Sequence, residues 1–218
     1  MIEEILPPEV AAAEAFGDAP PAALFPEEEA AVARAVASRR REFTTGRACA
    51  RAALAKLGLP PAPIVPGWRG APQWPAGVTG SITHCAGYRA SAVARLAEVA
   101  ALGLDAEPHG PLPDGVLERI AVPQELAWLP GLAAAVPGVS WDKLLFCAKE
   151  SVYKAWFPLT RRWLGFEQAA VTVEPEQGTF TAELLEPGAA LDGRRLACFD
   201  GRWLVRDGLV LTAITVPA

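Results

Sequence analysis

The sequence predicts an α+β protein made of two similar halves. Each half takes about 109 of the 218 residues and places segments of helical composition before segments with the alternation or apolar density of strands. Two stretches rich in proline and glycine, residues 58–77 and 107–115, interrupt the pattern. With 51% hydrophobic residues, the chain can form a substantial core. We therefore expect two α+β lobes, residues 1–108 and 109–218.

The first half is predicted to begin with two helices within residues 27–57, with a change near Ser38. Residues 58–77 contain too many prolines for a helix or a central strand, so they predict an ordered loop. Alternation then predicts three strands, at residues 77–85, 88–96 and 100–107, the first two joined at Ala86 and Gly87.

The second half repeats this order. Helices are predicted at residues 116–129 and 141–156. Strand-like segments follow at residues 166–174, 178–186, 194–200 and 201–216. The last segment contains a hairpin whose turn is predicted at residues 206–208.

Charge is distributed unevenly along the chain. Residues 1–33 hold eight carboxylates and no lysine or arginine, whereas residues 34–56 carry a local charge of +6. A nucleic-acid ligand is disfavoured because the whole chain has a net charge of -5 and no aromatic ladder accompanies the arginines. The basic segment therefore favours a small polyphosphate ligand.

Cysteine spacing and hydropathy indicate the kind of environment that the protein occupies. The four cysteines lie far apart and form no CxxC pair, so neither zinc nor disulfides are indicated. The N-terminus lacks the features of a secretory signal, and no apolar stretch is long enough for a membrane span. We expect a cytoplasmic protein without a membrane partner.

The helix at residues 141–156 contains a lysine in an unusual place. At 100° per residue, one arc of the helix is apolar and consists of Leu145, Ala148, Val152, Ala155 and Trp156. The opposite, polar side holds Cys147, Glu150, Ser151 and Lys154. Lys149 lies inside the apolar arc, where a buried ammonium without a partner is costly. Two interpretations stay open: the side chain snorkels past Tyr153, or it meets an anion such as a ligand phosphate.

The segment "ALGLDAEP" places two carboxylates on one face of a strand. Side chains alternate, so Gly103, Asp105 and Glu107 share one face. Gly103 leaves room for something to approach, and paired carboxylates suit Mg²⁺. A solvated strand end, stopped by Pro108, explains the same residues without a ligand.

Other polar residues allow similar double interpretations. In "GSITHC", Ser81 and Thr83 share a face opposite to that of His84, which fits either a structural histidine or a phosphate-binding edge. Glu150 and Lys154 have the spacing of an ordinary surface ion pair on a helix. Together, these carboxylates, cations and hydroxyls form the inventory that phosphoryl or diphosphate chemistry needs.

Three motifs in this order resemble those of a known family. "GSITHCAGYRA", "LGLDAEP" and "FCAKESVYKAWFPLT" resemble the signatures of phosphopantetheinyl transferases of the surfactin and enterobactin-synthetase class, especially the broad-specificity actinobacterial type. The resemblance extends from "RRREFTTGRACARAAL" to "GLVLTAI". It implies two similar α/β lobes related by pseudo-twofold symmetry, with the active site in the cleft between them. It also implies transfer of 4'-phosphopantetheine from coenzyme A to a carrier-protein serine, with release of adenosine 3',5'-bisphosphate.

The resemblance assigns roles residue by residue. Asp105, Glu107 and Glu150 are implied ligands of Mg²⁺, with Mn²⁺ as an alternative, and Glu150 is the implied base, directly or through a metal-bound water. Lys149 and Lys154 are implied to hold the diphosphate, so that the catalytic set is Asp105, Lys149, Glu150 and Lys154. The implied contacts to the adenosine phosphates are Arg39, Arg47, Arg69, Ser81, Thr83 and His84. Pro66 stands where close relatives often carry lysine.

The resemblance also implies partners. Acyl or peptidyl carrier proteins are acidic in this family and serve polyketide, nonribosomal-peptide and antibiotic biosynthesis. Residues 121–132 and 157–166 are both candidates for the docking surface on a monomeric enzyme. Two other classes remain open, namely a catalytically silent module that binds coenzyme A or carrier proteins, and a nucleic-acid-binding protein that uses its arginine helix.

Overall fold

The computed structural model describes residues 1–18, 23–185, 190–191 and 194–218. They divide into two compact units, Met1–Leu102 with Pro217–Ala218 and Gly103–Val216. Helices and antiparallel strands occur in both, which confirms the predicted α+β class. The predicted lobe boundary at residue 108 stays a prediction. No helix in these four ranges combines the length and apolar character of a membrane span.

Unit 1, Met1–Leu102 with the last two residues, contains a three-stranded antiparallel sheet of order β1-β3-β2. Its short 3-10 turns are Ile2–Ile5 and Trp68–Gly70. Its main elements are β1 (Ala11–Phe16), α1 (Pro26–Val32), α2 (Ala37–Lys56), β2 (Val78–Cys85), β3 (Tyr88–Arg95) and the first part of β4 (Val99–Pro108). The predicted pair of helices and the predicted turn between β2 and β3 are confirmed.

Strand β1 has no counterpart among the predicted elements. Its sequence, "AAAEAF", contains no β-branched residue, so local propensity does not indicate a strand. Its strand conformation comes from pairing along β3, from Ala11 opposite Val93 to Phe16 opposite Tyr88. Helix α2 covers this unit's core, which includes a cluster of buried residues: Ala50, Ala53, Leu54, Ile64, Val78 and Val93.

Unit 2, Gly103–Val216, contains most of a five-stranded sheet of order β4-β10-β9-β6-β5. Its helices are α3 (Leu117–Ile120), α4 (Pro123–Ala135) and α5 (Trp141–Thr160), with a 3-10 turn at Phe166–Gln168. Its other strands are β5 (Ala169–Glu174), β6 (Thr179–Leu184), β7 (Ala190–Leu191), β8 (Arg194–Arg195), β9 (Cys198–Arg206) and β10 (Leu209–Pro217).

Several boundaries in unit 2 differ from the predicted ones for local reasons. The helix predicted at 116–129 is interrupted after Ile120, because Pro123 takes the first position of a new helix, α4. The segments 194–200 and 201–216 do not meet at a break, since β9 runs without interruption across residue 200. The hairpin turn is confirmed, with Asp207 and Gly208 both at positive φ, as a tight turn between twisted strands requires. Residue 186 lies outside the described ranges.

Helix α5 is buried on more sides than the single apolar arc predicted. The arc residues are buried, but so are Cys147 and Ser151, which the sequence placed on a polar side. The Ser151 Oγ lies 2.7 Å from the Thr212 Oγ1, and the Thr212 hydroxyl donates to the Cys147 carbonyl oxygen. The small polar residues of α5 therefore pack against β10 through hydrogen bonds, which explains their burial.

Gly103 of β4 allows α5 to approach the sheet closely. A Cβ at this position would overlap the carbonyl oxygen of Ser151 and lie 2.9 Å from the Ala155 amide nitrogen. The space that the sequence left for a ligand is therefore occupied by the backbone of α5. Close packing of β4 on α5 brings the carboxylates that follow Gly103 onto the helix surface.

We expect Gly103→Ala to lower the free energy of unfolding by about 3 kcal/mol, because neither the strand nor the helix backbone can move aside cheaply. Urea denaturation measures this loss. Gly131→Ala is the matched control, since a Cβ at Gly131 meets nothing within 4 Å and alanine favours the helix interior. An equal, small effect of both substitutions would contradict the packing described for α5.

Candidate active site

Three residues of β4 share one face of the strand, as its alternation predicted, and this face lies against α5. Gly103 contacts the helix backbone, Asp105 accepts a hydrogen bond from Lys154 Nζ at 2.7 Å, and Glu107 Oε2 lies 3.7 Å from Lys143 Nζ. Asp105 is only 5% exposed. Asp105 is therefore buried against the helix, whereas the Glu107 side chain stays partly open to solvent near the end of the strand.

Glu150 of α5 belongs to the same electrostatic group. Burial raises its pKa, and the negative charges of Asp105 and Glu107 raise it further, while Lys154 opposes the shift. The pKa of Glu107 is raised too, by burial and then by Asp105. Both shifts mean that these carboxylates lose water and repel each other. An additional cation at this place would relieve the repulsion.

Lys154 partly neutralises the carboxylates. Besides Asp105, its ammonium donates to the Leu104 carbonyl oxygen at 2.9 Å. Burial alone would lower the pKa of Lys154, but Asp105 and Glu150 raise it above the usual value. Its charge is therefore retained inside the site. The sequence-based alternative, a surface pair between Glu150 and Lys154 only, misses the contact to Asp105.

The donor chemistry of this group suits a hard divalent cation, because all three acidic side chains offer carboxylate oxygens. Their arrangement is not a ready-made metal centre. Within the described ranges, no group of three or more His, Cys, Asp or Glu side chains is arranged to hold a metal ion. Asp105 and Glu107 instead lie against Lys154 and Lys143. Binding of a metal by all three carboxylates would therefore require these side chains to change their lysine contacts.

Lys149 is directed away from this group. Its ammonium donates to the carbonyl oxygens of Ile120, Phe166 and Ala169 at 2.7–2.9 Å and lies 2.8 Å from Glu125 Oε2. The residue is 3% exposed, so it does not snorkel to solvent. Burial lowers its pKa, and Glu125 opposes this shift. The anion that the sequence required is therefore a glutamate, and the expected contact to a ligand diphosphate does not fit this arrangement.

A partly open cavity of about 100 Å³ lies beside α5. Lys149 and Glu150 border it, but most of its wall is apolar and consists of Val152, Tyr153, Trp163, Leu164, Phe166 and Ala169. The Trp163 ring packs against that of Tyr153 at 4.8 Å between centroids and is 56% exposed. The cavity is smaller than a pocket for a whole small molecule, but its apolar wall and partly open mouth suit the end of a flexible arm.

In unit 1, two of the predicted phosphate-binding residues lie together. Arg39 Nη1 lies 2.7 Å from His84 Nε2, and Glu42 Oε2 lies 3.8 Å from His84 Nδ1 and 3.4 Å from Arg39 Nη1. Because a guanidinium can only donate, His84 Nε2 accepts, and the ring proton is on Nδ1 facing Glu42. The side chains of Arg39 and His84 are 49% and 38% exposed, so an anion can reach them.

The remaining predicted contacts of unit 1 are more dispersed. Arg47 is 6% exposed, donates to the Ile64 carbonyl oxygen and lies over the Phe43 ring at 3.8 Å. Burial lowers the pKa of Arg47 to about 10, with Glu28 opposing this shift. Ser81 and Thr83 are buried on β2, whereas His84 is exposed. Arg69 lies in the 3-10 turn Trp68–Gly70 at positive φ.

Sequence reasoning missed three residues of unit 2 that contribute to this region. Glu125 is the partner of Lys149, Lys143 is the partner of Glu107, and Trp163 borders the cavity. The order Pro123, Gln124, Glu125 at a helix start predicts a carboxylate that caps the helix, and Glu125 does accept from the Val122 amide. No pattern in the sequence connects Glu125 with a lysine on another helix.

Comparisons with known proteins give the same family along the chain. The model described as "4'-phosphopantetheinyl transferase N-terminal domain" matches residues 27–94, and that of the "4'-phosphopantetheinyl transferase superfamily" matches residues 101–198. The transferase Svp of Streptomyces mobaraensis is 59% identical over 100% of this chain and 90% of its own.

Two further relatives agree. The transferase Npt of Nocardia iowensis is 52% identical, over 98% of this chain and 99% of its own. The transferase PptT of Mycobacterium tuberculosis is 50% identical, over 99% and 98%. These relatives confirm the predicted family and enzyme class. The chain therefore belongs to the 4'-phosphopantetheinyl transferase superfamily and is an enzyme that transfers phosphopantetheine from coenzyme A to carrier proteins.

Proposed function

We propose that the transfer takes place at the cluster of three carboxylates in unit 2, Asp105, Glu107 and Glu150. There, Glu150 acts on the carrier serine, and the neighbouring cavity receives the pantetheine arm. One observation carries this proposal: Glu150 interacts electrostatically with Asp105 and Glu107 and also borders the mainly apolar cavity. A reacting phosphate at Glu150 would thus have charged side chains on one side and space for its arm on the other.

In the proposed reaction, Glu150 accepts the proton of the serine hydroxyl. The serine oxygen forms a bond to the phosphorus that carries pantetheine, and the bond between this phosphorus and the bridging diphosphate oxygen breaks. Adenosine 3',5'-bisphosphate leaves with the bonding electron pair. The raised pKa of Glu150 supports its role as base, because a more basic carboxylate takes up a proton more readily near neutral pH.

Lys154 is proposed to stabilise the charge that develops on the diphosphate, since its ammonium is held inside the site by Asp105. Asp105 and Glu107, with Glu150, are the proposed ligands of Mg²⁺ or Mn²⁺. Such an ion, when bound, supplies positive charge to the diphosphate oxygens. The mutual repulsion of the three carboxylates supports this assignment.

The residues of unit 1 are proposed to bind the adenosine phosphates. Arg39 and His84 offer an exposed guanidinium and an exposed imidazole ring next to it. Arg47 and Arg69 add positive charge, and the hydroxyls of Ser81 and Thr83 are further proposed contacts. Arg47 acts mainly through its charge, since it is only 6% exposed.

The carrier protein is proposed to dock at residues 157–166 rather than at residues 121–132, the other segment that the sequence offered. Arg161, Arg162 and Trp163 are all exposed there, and the same segment reaches the cavity through Trp163 and Leu164. Two arginines suit an acidic partner. Monomeric state, cytoplasmic location and the lack of a nucleic-acid partner stay predictions.

Trp163→Ala tests the proposed cavity. We expect the KM for coenzyme A to rise roughly tenfold with kcat little changed, because the indole surface contacts the arm in ground state and transition state alike. Initial rates at saturating carrier measure this. Phe16→Ala is the matched control, since Phe16 is 62% exposed and packs against Tyr88 at 5.4 Å between centroids. If Trp163→Ala and wild type have the same KM for coenzyme A and the same kcat, the arm does not bind in this cavity.

A further inference from the structure

The ammonium of Lys149 has no N–H left for a ligand. A lysine ammonium has three N–H donors, and four protein oxygens lie at 2.7–2.9 Å from Lys149 Nζ. Both members of the pair are buried, Lys149 at 3% and Glu125 at 0% exposure. A phosphate could bind Lys149 only by displacing oxygens that would then be left buried without a donor.

Glu125 is equally committed to the protein. Its Oε2 accepts from the Val122 amide at 2.8 Å, and its Oε1 accepts from the Val171 amide at 2.7 Å. The ion pair thereby connects five pieces of chain: the end of α3, the start of α4, helix α5, the turn Phe166–Gln168 and the start of β5. Removing either member leaves the charge of the other without its partner.

Three of the residues held by this network form part of the cavity wall. Lys149 borders the cavity, and so do Phe166 and Ala169, whose carbonyl oxygens accept from its ammonium. Glu150 follows Lys149 directly on α5 and borders the same cavity. The separation between α5 and the wall at residues 166–169 therefore depends on the pair.

We propose that Glu125 and Lys149 are positioning residues that shape the pantetheine-binding cavity, so that they determine affinity for the arm of coenzyme A and make no contact with its diphosphate. This inference rests on the proposed function, which places the arm in that cavity. It changes the role of Lys149 from a ligand of the diphosphate to a structural link and adds Glu125, which the sequence motifs do not include.

Two ligands distinguish a direct contact of Lys149 with the diphosphate from an indirect effect on binding of the arm. Coenzyme A carries both the diphosphate and the arm, whereas adenosine 3'-phosphate 5'-diphosphate carries the diphosphate without the arm. Their dissociation constants are measured by calorimetry with wild type, Lys149→Met, Glu125→Gln and the double variant. We expect each single substitution to weaken coenzyme A roughly tenfold or more and to leave the arm-free nucleotide within about twofold.

The double variant should lose about as much affinity as either single variant, because the pair acts as one unit. Lys154→Met provides the contrast, since the proposed contact of Lys154 with the diphosphate should make both ligands weaker. Unchanged binding of the arm-free nucleotide also shows that a variant is folded. If Lys149→Met does not fold, the conservative Glu125→Gln gives the same comparison.

The proposal is overturned if Lys149→Met weakens both ligands equally while Glu125→Gln weakens neither, which is the signature of a direct diphosphate contact. Unaltered affinity of both single variants for coenzyme A overturns it as well. A different result would show that the proposed function itself is wrong: wild type would bind coenzyme A no more tightly than the arm-free nucleotide. The cavity would then not hold the arm, and the role of the pair in arm binding would fall with it.

Discussion

Replacing Glu150 by glutamine is expected to slow phosphopantetheine transfer by roughly a hundred- to ten-thousandfold, with the fold retained. Glutamine has almost the same shape, but it cannot accept the serine proton and contributes no negative charge to the group around Asp105. Because the shifted pKa of Glu150 shows that ionisation is unfavourable in the unliganded protein, the neutral amide should also leave stability unchanged or slightly higher.

Single-turnover transfer rates and thermal melting measure these two effects of Glu150→Gln. Glu183→Gln is the matched control, because Glu183 is an exposed glutamate on β6 of the same unit. We expect the control to retain the wild-type rate. A Glu150→Gln rate within a few-fold of wild type would show that another group takes the proton.

Asp105→Asn is expected to lower the transfer rate by roughly a hundredfold or more. Asp105 is the direct partner of Lys154, at 2.7 Å, and it contributes negative charge next to Glu150 and Glu107. The amide keeps the shape of the side chain but removes the charge that holds the ammonium in place. It also removes one of the proposed oxygen ligands of the metal.

Two measurements distinguish these effects of Asp105→Asn. The transfer rate reports on both together, whereas the rise in Tm on addition of Mg²⁺ reports on ion binding alone, and we expect the variant to lose this rise. Asp200→Asn is the control, because Asp200 is an exposed aspartate that accepts from the Thr181 hydroxyl on the sheet. A full Mg²⁺ response in Asp105→Asn would exclude Asp105 as a metal ligand.

The parts of the fold that depend on local pattern were predictable. Strict alternation along β4 predicted that Gly103, Asp105 and Glu107 share a face, and the turn at Asp207 and Gly208 follows from the need for positive φ. The face was predicted without its neighbour, however. That α5 packs on it depends on contacts between segments distant in the chain, which periodicity does not contain.

Partners of charged residues were the least predictable feature. The sequence indicated that Lys149 needs an anion, but Glu125 and the three carbonyl oxygens come from other segments of unit 2. A helical projection places Cys147 and Ser151 on a polar side. It contains no information on their hydrogen bonds to β10, which allow them to be buried. Residue type predicts which groups require a partner, and only the tertiary structure supplies that partner.

The family could be predicted from the sequence. The motifs around His84, Asp105 and Glu150 lie in three separate segments, and their order and separation carry information that no single motif contains. The relatives, 50–59% identical over nearly the whole chain, confirm it. The contacts of Lys149 and Lys154 differ, although both residues occur in the same motif, because they lie on different sides of α5.

The intact mass of an apo carrier protein tests the central claim most directly. Incubation with the chain, coenzyme A and Mg²⁺ should add the mass of one phosphopantetheine group to the carrier, and no mass should be added when the carrier serine is replaced by alanine. Carriers from fatty-acid, polyketide and nonribosomal-peptide synthases should be compared. Unchanged masses for all of them, with coenzyme A still bound by the chain, would contradict the account and identify a catalytically silent coenzyme-A-binding module instead.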